Sequence, residues 1–273
     1  MGAGLVGCGA IGTVIANAID SGKAGDINLI IVYDIIRERA EKLSSKLKHK
    51  PLVAKNIDEV LERNDVQIVI EAASQEAVRQ YALKVLSGNK DLMVMSTGAL
   101  LDDSLFAKIM ETAKKSGRRI YVPSGAIVGL DNIKSATIGH VEEVTLTTRK
   151  PPMSLKGAPY VEKSKIDLTL LKEPLVLYEG VAREAVKLFP QNVNVAASLS
   201  LAGIGPDKTK VKIIVDPTIK NIIHEIRVKG EFGEIHTKTV NKPCPTNPKT
   251  SYIAALSAIA TLRKISGNII IGT

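Results

Sequence analysis

The sequence predicts an α/β protein: a doubly wound parallel sheet, followed by a second, α+β domain with a mixed, largely antiparallel sheet. Up to about residue 134, apolar strand-like runs alternate with helical patterns, as helical crossovers between parallel strands require. A glycine-rich turn joins the first strand to the first helix. Beyond residue 134, several segments alternate apolar and polar residues, which indicates half-buried strands.

The first turn has the spacing G-x-G-x-x-G, formed by Gly7, Gly9 and Gly12. The first glycine allows a tight turn, the second lets a pyrophosphate approach the backbone, and the third lets the helix pack closely on the strand. Unpaired N–H groups at the helix start, at Ala10, Ile11 and Gly12, favour a phosphate. The motif is typical of a Rossmann-type dinucleotide site, and a glycine turn of another α/β protein is the alternative interpretation.

An acidic residue follows the second predicted strand, Ile27 to Tyr33. Asp34 lies 22 residues after Gly12, near the spacing at which a carboxylate binds the adenosine ribose hydroxyls. Such a carboxylate disfavours a 2′-phosphate, so the sequence predicts NAD as the cofactor. Arg37 or Arg39 leaves NADP open as a second cofactor.

The remaining elements of the first domain follow in regular order. An N-cap residue, a helix-ending glycine or an apolar pattern marks each of them. The predicted helices are 36–48, 57–63, 75–87 and 103–116, and the predicted strands are 51–53, 66–70, 91–95 and 120–122.

Two loops at strand ends are further candidates for cofactor binding, because ligands of open α/β sheets bind at the carboxyl ends of strands. The first loop contains Ala72, Ala73 and Ser74. The second contains Ser124, Gly125 and Ala126, and Ala126 is small enough to form a floor beneath a flat nicotinamide ring.

The second part of the chain predicts a different architecture. We expect a strand at 141–148, a long loop at 150–175, a helix at 179–188, a small-residue helix from 192 to 202, three antiparallel strands at 209–215, 222–229 and 233–240, and a last helix at 249–264. Asn192 and Asn194 open the small-residue helix, and each is either an N-cap or an amide ligand of the nicotinamide carboxamide or of the substrate.

His224 is the most informative of the four histidines. Strand parity places it on the same face as Ile222, Ile226 and Val228, away from bulk water. Such an imidazole can act as an acid or base, or bind a substrate carboxylate. The alternative is a core histidine whose hydrogen bonds are satisfied. No role is predicted for the other three histidines.

Composition narrows the function classes. The net charge of +9 favours anionic ligands, whereas three Phe, six Tyr and no Trp argue against stacking on nucleic acid bases. Two cysteines and no Cys/His cluster at ligand spacing predict neither a disulfide framework nor a metal. No apolar run approaches a membrane span and no signal peptide is evident, so we expect a cytoplasmic protein.

The chain resembles the L-aspartate dehydrogenase family along nearly its whole length. The matching segments are 4–12, Glu71–Gln75, Ser124–Asp131, Phe189–Ala197, Asp216–Pro217, His224 and Asn247–Ser251. The resemblance implies NAD(P)-dependent oxidative deamination of L-aspartate to iminoaspartate, which feeds NAD biosynthesis or hydrolyses to oxaloacetate and ammonia.

The resemblance also implies particular site residues and a domain organisation. It implies an active-site role for His224 and cofactor contacts at Ala126 and at Asn192 or Asn194. The C-terminal helix is expected to return to the nucleotide domain, which gives residues 1–122 with 249–273 as the dinucleotide-binding domain and 123–248 as the substrate and dimerisation domain of a homodimer. A homoserine-dehydrogenase-like or other reductase, and a non-catalytic dinucleotide sensor, remain alternatives.

Overall fold

The computed structural model describes residues 1–190, 193–244 and 247–272, which form two compact units. The first unit comprises Met1–Pro123 and Ala255–Ile271. The second comprises Ser124–Ala254 together with Gly272.

The first unit contains a six-stranded parallel sheet in the order β3-β2-β1-β4-β5-β6. Its strands are β1 (Gly2–Val6), β2 (Asn28–Tyr33), β3 (Leu52–Val53), β4 (Ile68–Glu71), β5 (Asp91–Val94) and β6 (Ile120–Tyr121). The helices are α1 (Ala10–Asp20), α2 (Arg37–Lys46), α3 (Ile57–Leu61), α4 (Gln75–Ser87) and α5 (Asp103–Ser116), with a 3-10 helix at Thr97–Leu101. This strand order is that of a Rossmann-type sheet, which confirms the predicted fold class.

Buried strands and helix caps account for the positions of the strands and helices in the first unit. All five residues of β1 are buried, and Leu5 packs in one cluster with Ile15 of α1 and Ile70 of β4. The α3 helix begins where the side chain of Asn56 accepts a hydrogen bond from the Glu59 N–H. The α5 helix ends at Gly117, whose φ of 64° is the left-handed conformation typical of a helix end.

The second unit contains a five-stranded mixed sheet, in the order β11-β10-β7-β9-β8 among the described residues. Its elements are α6 (Leu130–Ala136), β7 (Val141–Lys150), α7 (Pro152–Leu155), α8 (Pro159–Ser164), β8 (Leu175–Val181), α9 (Ala182–Leu188), α10 (Asn194–Ala202), β9 (Lys210–Val215), β10 (Ile222–Gly230) and β11 (Gly233–Asn241), followed by the pair β12 (Pro243–Cys244) and β13 (Asn247–Ser251). The last helix is α11 (Tyr252–Ser266), whose Ala258, Ile259 and Leu262 belong to the core of the first unit.

Four predictions for the second unit were wrong in detail. The helix predicted from Glu179 begins at Ala182, because the preceding residues pair with β9 as a strand. The last helix begins at Tyr252, because residues 249–251 continue β13. The strands β9 and β10 are not neighbours, since β7 lies between them and runs parallel to β9. The long loop contains the helices α7 and α8, and its first residue, Lys150, belongs to β7.

Within the described ranges, no helix is both long enough and apolar enough to cross a bilayer.

Candidate active site

The glycine turn has the contacts that a dinucleotide-binding turn requires. Gly7 has a φ of 98°, and a Cβ there would lie 2.6 Å from the carbonyl oxygen of Ala72. A Cβ at Gly12 would lie 1.9 Å from the carbonyl oxygen of Gly7, so the helix can approach β1 only with glycine at this position. A Cβ at Gly9, in contrast, would meet no atom within 4 Å. The space over Gly9 is therefore open, whereas the surroundings of Gly7 and Gly12 are closely packed.

The start of α1 is suited to an anion. Its N-cap, Gly9, supplies no side-chain hydrogen bond, and its first turn, with Ala10, Ile11 and Gly12, has no acidic residue. The N–H groups there lack intrahelical partners, as at every helix start, and therefore point outward as donors. Burial and the charge of Asp34 raise the pKa of the Cys8 thiol to about 12, so Cys8 adds no negative charge to the turn.

Asp34 is fixed directly after β2. Its Oδ2 accepts a hydrogen bond from the Cys8 N–H at 2.7 Å, and its Oδ1 accepts one from the Ile36 N–H at 2.9 Å. A carboxylate has about four acceptor positions, so two remain for ribose hydroxyls. Arg37, one candidate for an NADP phosphate, instead forms an ion pair with Glu41 at 2.7 Å.

The loop after β4 is held by a buried carboxyl group that the sequence analysis left without a role. Oε1 of Glu71 accepts hydrogen bonds from the N–H groups of Ala73 and Ser74, at 2.8 and 2.9 Å, and from the hydroxyl of Ser96. The Ser74 hydroxyl in turn caps α4 by accepting from the Ala77 N–H. Burial raises the pKa of the Glu71 carboxyl. An acidic residue directly after an apolar strand was the signal that could have revealed Glu71.

His224 lies on the buried face of the sheet of the second unit, as strand parity predicts. Only 3% of its surface is exposed, and its register partner on β7 is Thr148. The Thr148 hydroxyl oxygen and the His224 Nδ1 are 2.9 Å apart, within hydrogen-bonding distance. Burial, together with the positive charge of Lys150, lowers the pKa of His224 to about 3. The imidazole is therefore neutral at physiological pH.

Lys150 is a second titratable group on this face, and the sequence analysis missed it. It follows Thr148 by two residues on β7, so both side chains lie on the same face of the sheet. Burial lowers the pKa of its ammonium to about 7. The predicted strand ends at Thr148. The same alternation, extended by two residues, would have included Lys150.

The loop around Ala126 is bonded to the same sheet. The carbonyl oxygen of Ala126 accepts hydrogen bonds from the Asn241 Nδ2 at 2.9 Å and from the Thr239 hydroxyl at 3.1 Å. Thr239 is the register partner of His224 on β11. The structure thus connects Ala126 with the strand that borders His224, and the contact of Ala126 with a cofactor stays a prediction.

The two asparagine candidates have different outcomes. Asn194 is the first residue of α10, whose N-cap is Val193, so the interpretation of Asn194 as an N-cap is wrong. Asn192 lies outside the described residues. A Cβ on Gly125 would lie 3.7 Å from Val195, so the loop before Ala126 runs along the first turn of α10.

The predicted site residues thus form two groups. The glycine turn, Asp34 and the loop from Ala72 to Ser74 lie in the first unit, whereas Ala126, Asn194 and His224 lie in the second. In the described part of the chain, no group of three or more His, Cys, Asp or Glu side chains is placed to hold a metal ion.

A Rossmann-type sheet with this glycine turn and this acidic residue defines the class of dinucleotide-dependent dehydrogenases. Comparisons with known proteins identify the class more closely. Residues 7–123 match the family described as "Homoserine dehydrogenase, NAD binding domain", and residues 131–265 match "Aspartate dehydrogenase, C-terminal".

Full-length relatives define the family. The chain is 50% identical to the L-aspartate dehydrogenase of Methanococcoides burtonii and 48% identical to that of Methanosarcina barkeri, in each case over 99% of this chain and 98% of the relative. The crystal structure of aspartate dehydrogenase from Thermotoga maritima has a TM-score of 0.77 and 31% identity, and the match covers 100% of this chain and 99% of that one. The chain belongs to the L-aspartate dehydrogenase family.

Proposed function

We propose that this protein oxidises L-aspartate to iminoaspartate with NAD as the hydride acceptor. The observation that supports this most strongly is the buried pair of His224 and Thr148, 2.9 Å apart, on a unit that matches the C-terminal domain of aspartate dehydrogenase. Bound NAD⁺ would supply the acceptor for the hydride that leaves Cα of the substrate. Released iminoaspartate hydrolyses to oxaloacetate and ammonia, or feeds NAD biosynthesis.

In this proposal the first unit binds the cofactor. The N–H groups from Ala10 to Gly12 bind the pyrophosphate in the space above Gly9, which the empty surroundings of that glycine support. Asp34 binds the adenosine ribose and favours NAD over NADP. The loop from Ala72 to Ser74 completes the binding surface, since its backbone is in contact with Gly7.

In the second unit, His224 binds a substrate carboxylate. When the Thr148 hydroxyl donates to Nδ1, the ring proton lies on Nε2, which can then donate to a carboxylate oxygen. The low pKa of His224 supports a donor role and argues against a base, because an imidazole with a pKa of about 3 is too weak a base to take a proton from the substrate ammonium at neutral pH. Ala126, with Asn192 or Asn194, contacts the nicotinamide.

The proposal is tested by following NADH absorbance with L-aspartate, L-homoserine and other amino acids as substrates. We expect turnover of L-aspartate, with a kcat/KM for NAD more than tenfold above that for NADP. Turnover of homoserine alone, or NAD binding without any turnover, contradicts the proposal and favours a related reductase or a sensor.

A pair of histidine variants tests the role of His224. A hydrogen bond to a charged group contributes about 1.5–3 kcal/mol, so His224→Ala is expected to lower kcat/KM for L-aspartate about 10- to 100-fold. His236→Ala, on the exposed side of β11, is the matched control. A His224→Ala enzyme with nearly full kcat/KM contradicts this role.

We further propose a cytoplasmic homodimer. The resemblance to the family supports this assembly, and light scattering of the purified chain tests it.

A further inference from the structure

The buried face of the second unit's sheet carries a second titratable side chain besides the His224–Thr148 pair. His224 on β10 lies between Thr148 on β7 and Thr239 on β11, its register partners on the two sides. Lys150 lies two residues beyond Thr148 on the same face. Diagonal neighbours across antiparallel strands are about 7–8 Å apart, within reach of a long side chain. The Lys150 amine and the imidazole therefore share one region, and the effect of the Lys150 charge on His224 agrees with this.

The proposed reaction needs a group that the sequence analysis did not assign. L-Aspartate arrives with its amino group protonated, and a hydride can leave Cα only when nitrogen has a lone pair to form the C=N bond. A base must therefore accept one proton from the substrate ammonium. His224 is unsuited to this step because it remains neutral in the presence of a much stronger base, the substrate amine.

We propose that Lys150 is the base that removes this proton from the bound substrate ammonium, in the aspartate oxidation proposed above. Uncharged Lys150 takes the proton, the nitrogen lone pair forms the C=N bond as the Cα hydride leaves for NAD⁺, and Lys150 ends as an ammonium. The products are iminoaspartate, protonated at nitrogen, and NADH, and the abstracted proton passes from Lys150 to water.

Burial makes Lys150 suited to the task. A lysine whose amine holds its proton at neutral pH is a poor base, whereas burial of Lys150 lowers its pKa to about 7, near the value that suits a general base at neutral pH. Charged and titratable groups near Lys150 include His224 on β10 and Asp216 after β9, whose N–H donates to the Lys150 carbonyl oxygen. The Oδ1 of Asp216 accepts hydrogen bonds from Thr218, and its Oδ2 lies 3.8 Å from the guanidinium of Arg149.

Two substitutions separate a base from a cation that merely binds a carboxylate. Lys150→Met removes the amine, and Lys150→Arg keeps a positive charge that does not dissociate at working pH. If Lys150 is the base, both variants lose at least 100-fold in kcat/KM for L-aspartate, and methylamine added to Lys150→Met restores part of the rate. Lys212→Met is the control, since Lys212 lies on β9 and pairs with Glu179.

Binding of succinate provides a readout that is independent of turnover. Succinate has both carboxylates of aspartate but no amino group, so its Kd, measured by calorimetry in the presence of NADH, should change less than threefold in Lys150→Met. A tenfold weaker succinate complex, or a Lys150→Arg enzyme within tenfold of wild type, overturns the proposal, because either result assigns Lys150 to carboxylate binding.

The pH profile completes the test. The wild-type kcat/KM should fall below about pH 7, where Lys150 becomes protonated. Should Lys150→Met fail to fold, Lys150→Cys alkylated with bromoethylamine supplies a more acidic amine at the same place. The pH below which kcat/KM falls must then move to a lower value. If that pH is unchanged, the proposal is overturned. Absence of aspartate turnover in the wild type would instead contradict the proposed function.

Discussion

Gly9 and Gly12 lie in one turn, yet an added methyl group would meet very different surroundings at the two positions. At Gly12 the Cβ would lie 1.9 Å from the Gly7 carbonyl oxygen, so the start of α1 would have to move by about 1 Å or more to reach even a tight contact. At Gly9 the Cβ would enter empty space. Gly12→Ala should therefore damage the fold, and Gly9→Ala should chiefly damage cofactor binding.

The magnitudes follow from these contacts. Overpacking against a backbone atom costs about 3 kcal/mol, of which the better helix propensity of alanine returns ~1 kcal/mol. Gly12→Ala is thus expected to lower the free energy of unfolding by about 2 kcal/mol. Gly9→Ala makes a poorer N-cap, which costs about 0.5–1 kcal/mol. If the pyrophosphate occupies the space above Gly9, the same change raises the Kd for NADH at least tenfold, or by ~1.4 kcal/mol.

Urea unfolding of the protein without cofactor, and NADH fluorescence titration of the folded protein, measure the two effects separately. Each variant serves as the matched control of the other. A Gly9→Ala protein that binds NADH within threefold of wild type would show that the pyrophosphate lies elsewhere. A Gly12→Ala protein as stable as wild type would refute the packing argument.

Three further predictions concern polar side chains. Thr148→Val leaves the buried Nδ1 of His224 without its partner, so the free energy of unfolding in urea should fall by about 1–3 kcal/mol, whereas Thr148→Ser should retain most of it. Asp34→Ser should reduce the ratio of kcat/KM for NAD over NADP at least tenfold, because the carboxylate no longer repels a 2′-phosphate. The lowered pKa of Lys150 destabilises the fold as the pH falls from about 10.5 to about 7, so Lys150→Met should be more stable than wild type below pH 7 by ~5 kcal/mol.

A different experimental result would contradict each of these three predictions. Equal losses of stability in Thr148→Val and Thr148→Ser would mean that the hydroxyl contributes nothing. An unchanged cofactor ratio in Asp34→Ser would remove the reason to expect NAD. A stability difference between Lys150→Met and wild type that is the same at pH 6 and pH 10 would contradict the lowered pKa.

The sequence predicts best where short-range patterns determine structure. The glycine turn and Asp34 were found because their chemistry depends on spacing within one βαβ unit, and the structure brings them together through the Cys8 N–H. Parity placed His224 on its buried face for a similar reason, since alternation along one strand needs no knowledge of its neighbours.

The features that the sequence did not predict depend on the pairing of strands that are distant along the chain. No local pattern places β7 between β9 and β10, and that central position makes Thr148 the partner of His224. The sequence places Lys150 in a loop because the segment 150–175 is irregular and rich in Pro and Lys. In the fold, only 3% of its surface is exposed.

In the roles proposed for them, His224 and Lys150 are two basic side chains at one anionic substrate, and their environments limit the positive charge that they carry together. Burial lowers the pKa of both groups, and the charge on Lys150 lowers that of His224 further, so the two do not carry full positive charge together at neutral pH. A bound dicarboxylate reverses part of this effect, because nearby negative charge raises the pKa of both groups. In the proposed reaction Lys150 is therefore a stronger base in the complex, but a smaller fraction of it is uncharged at neutral pH and able to take the ammonium proton.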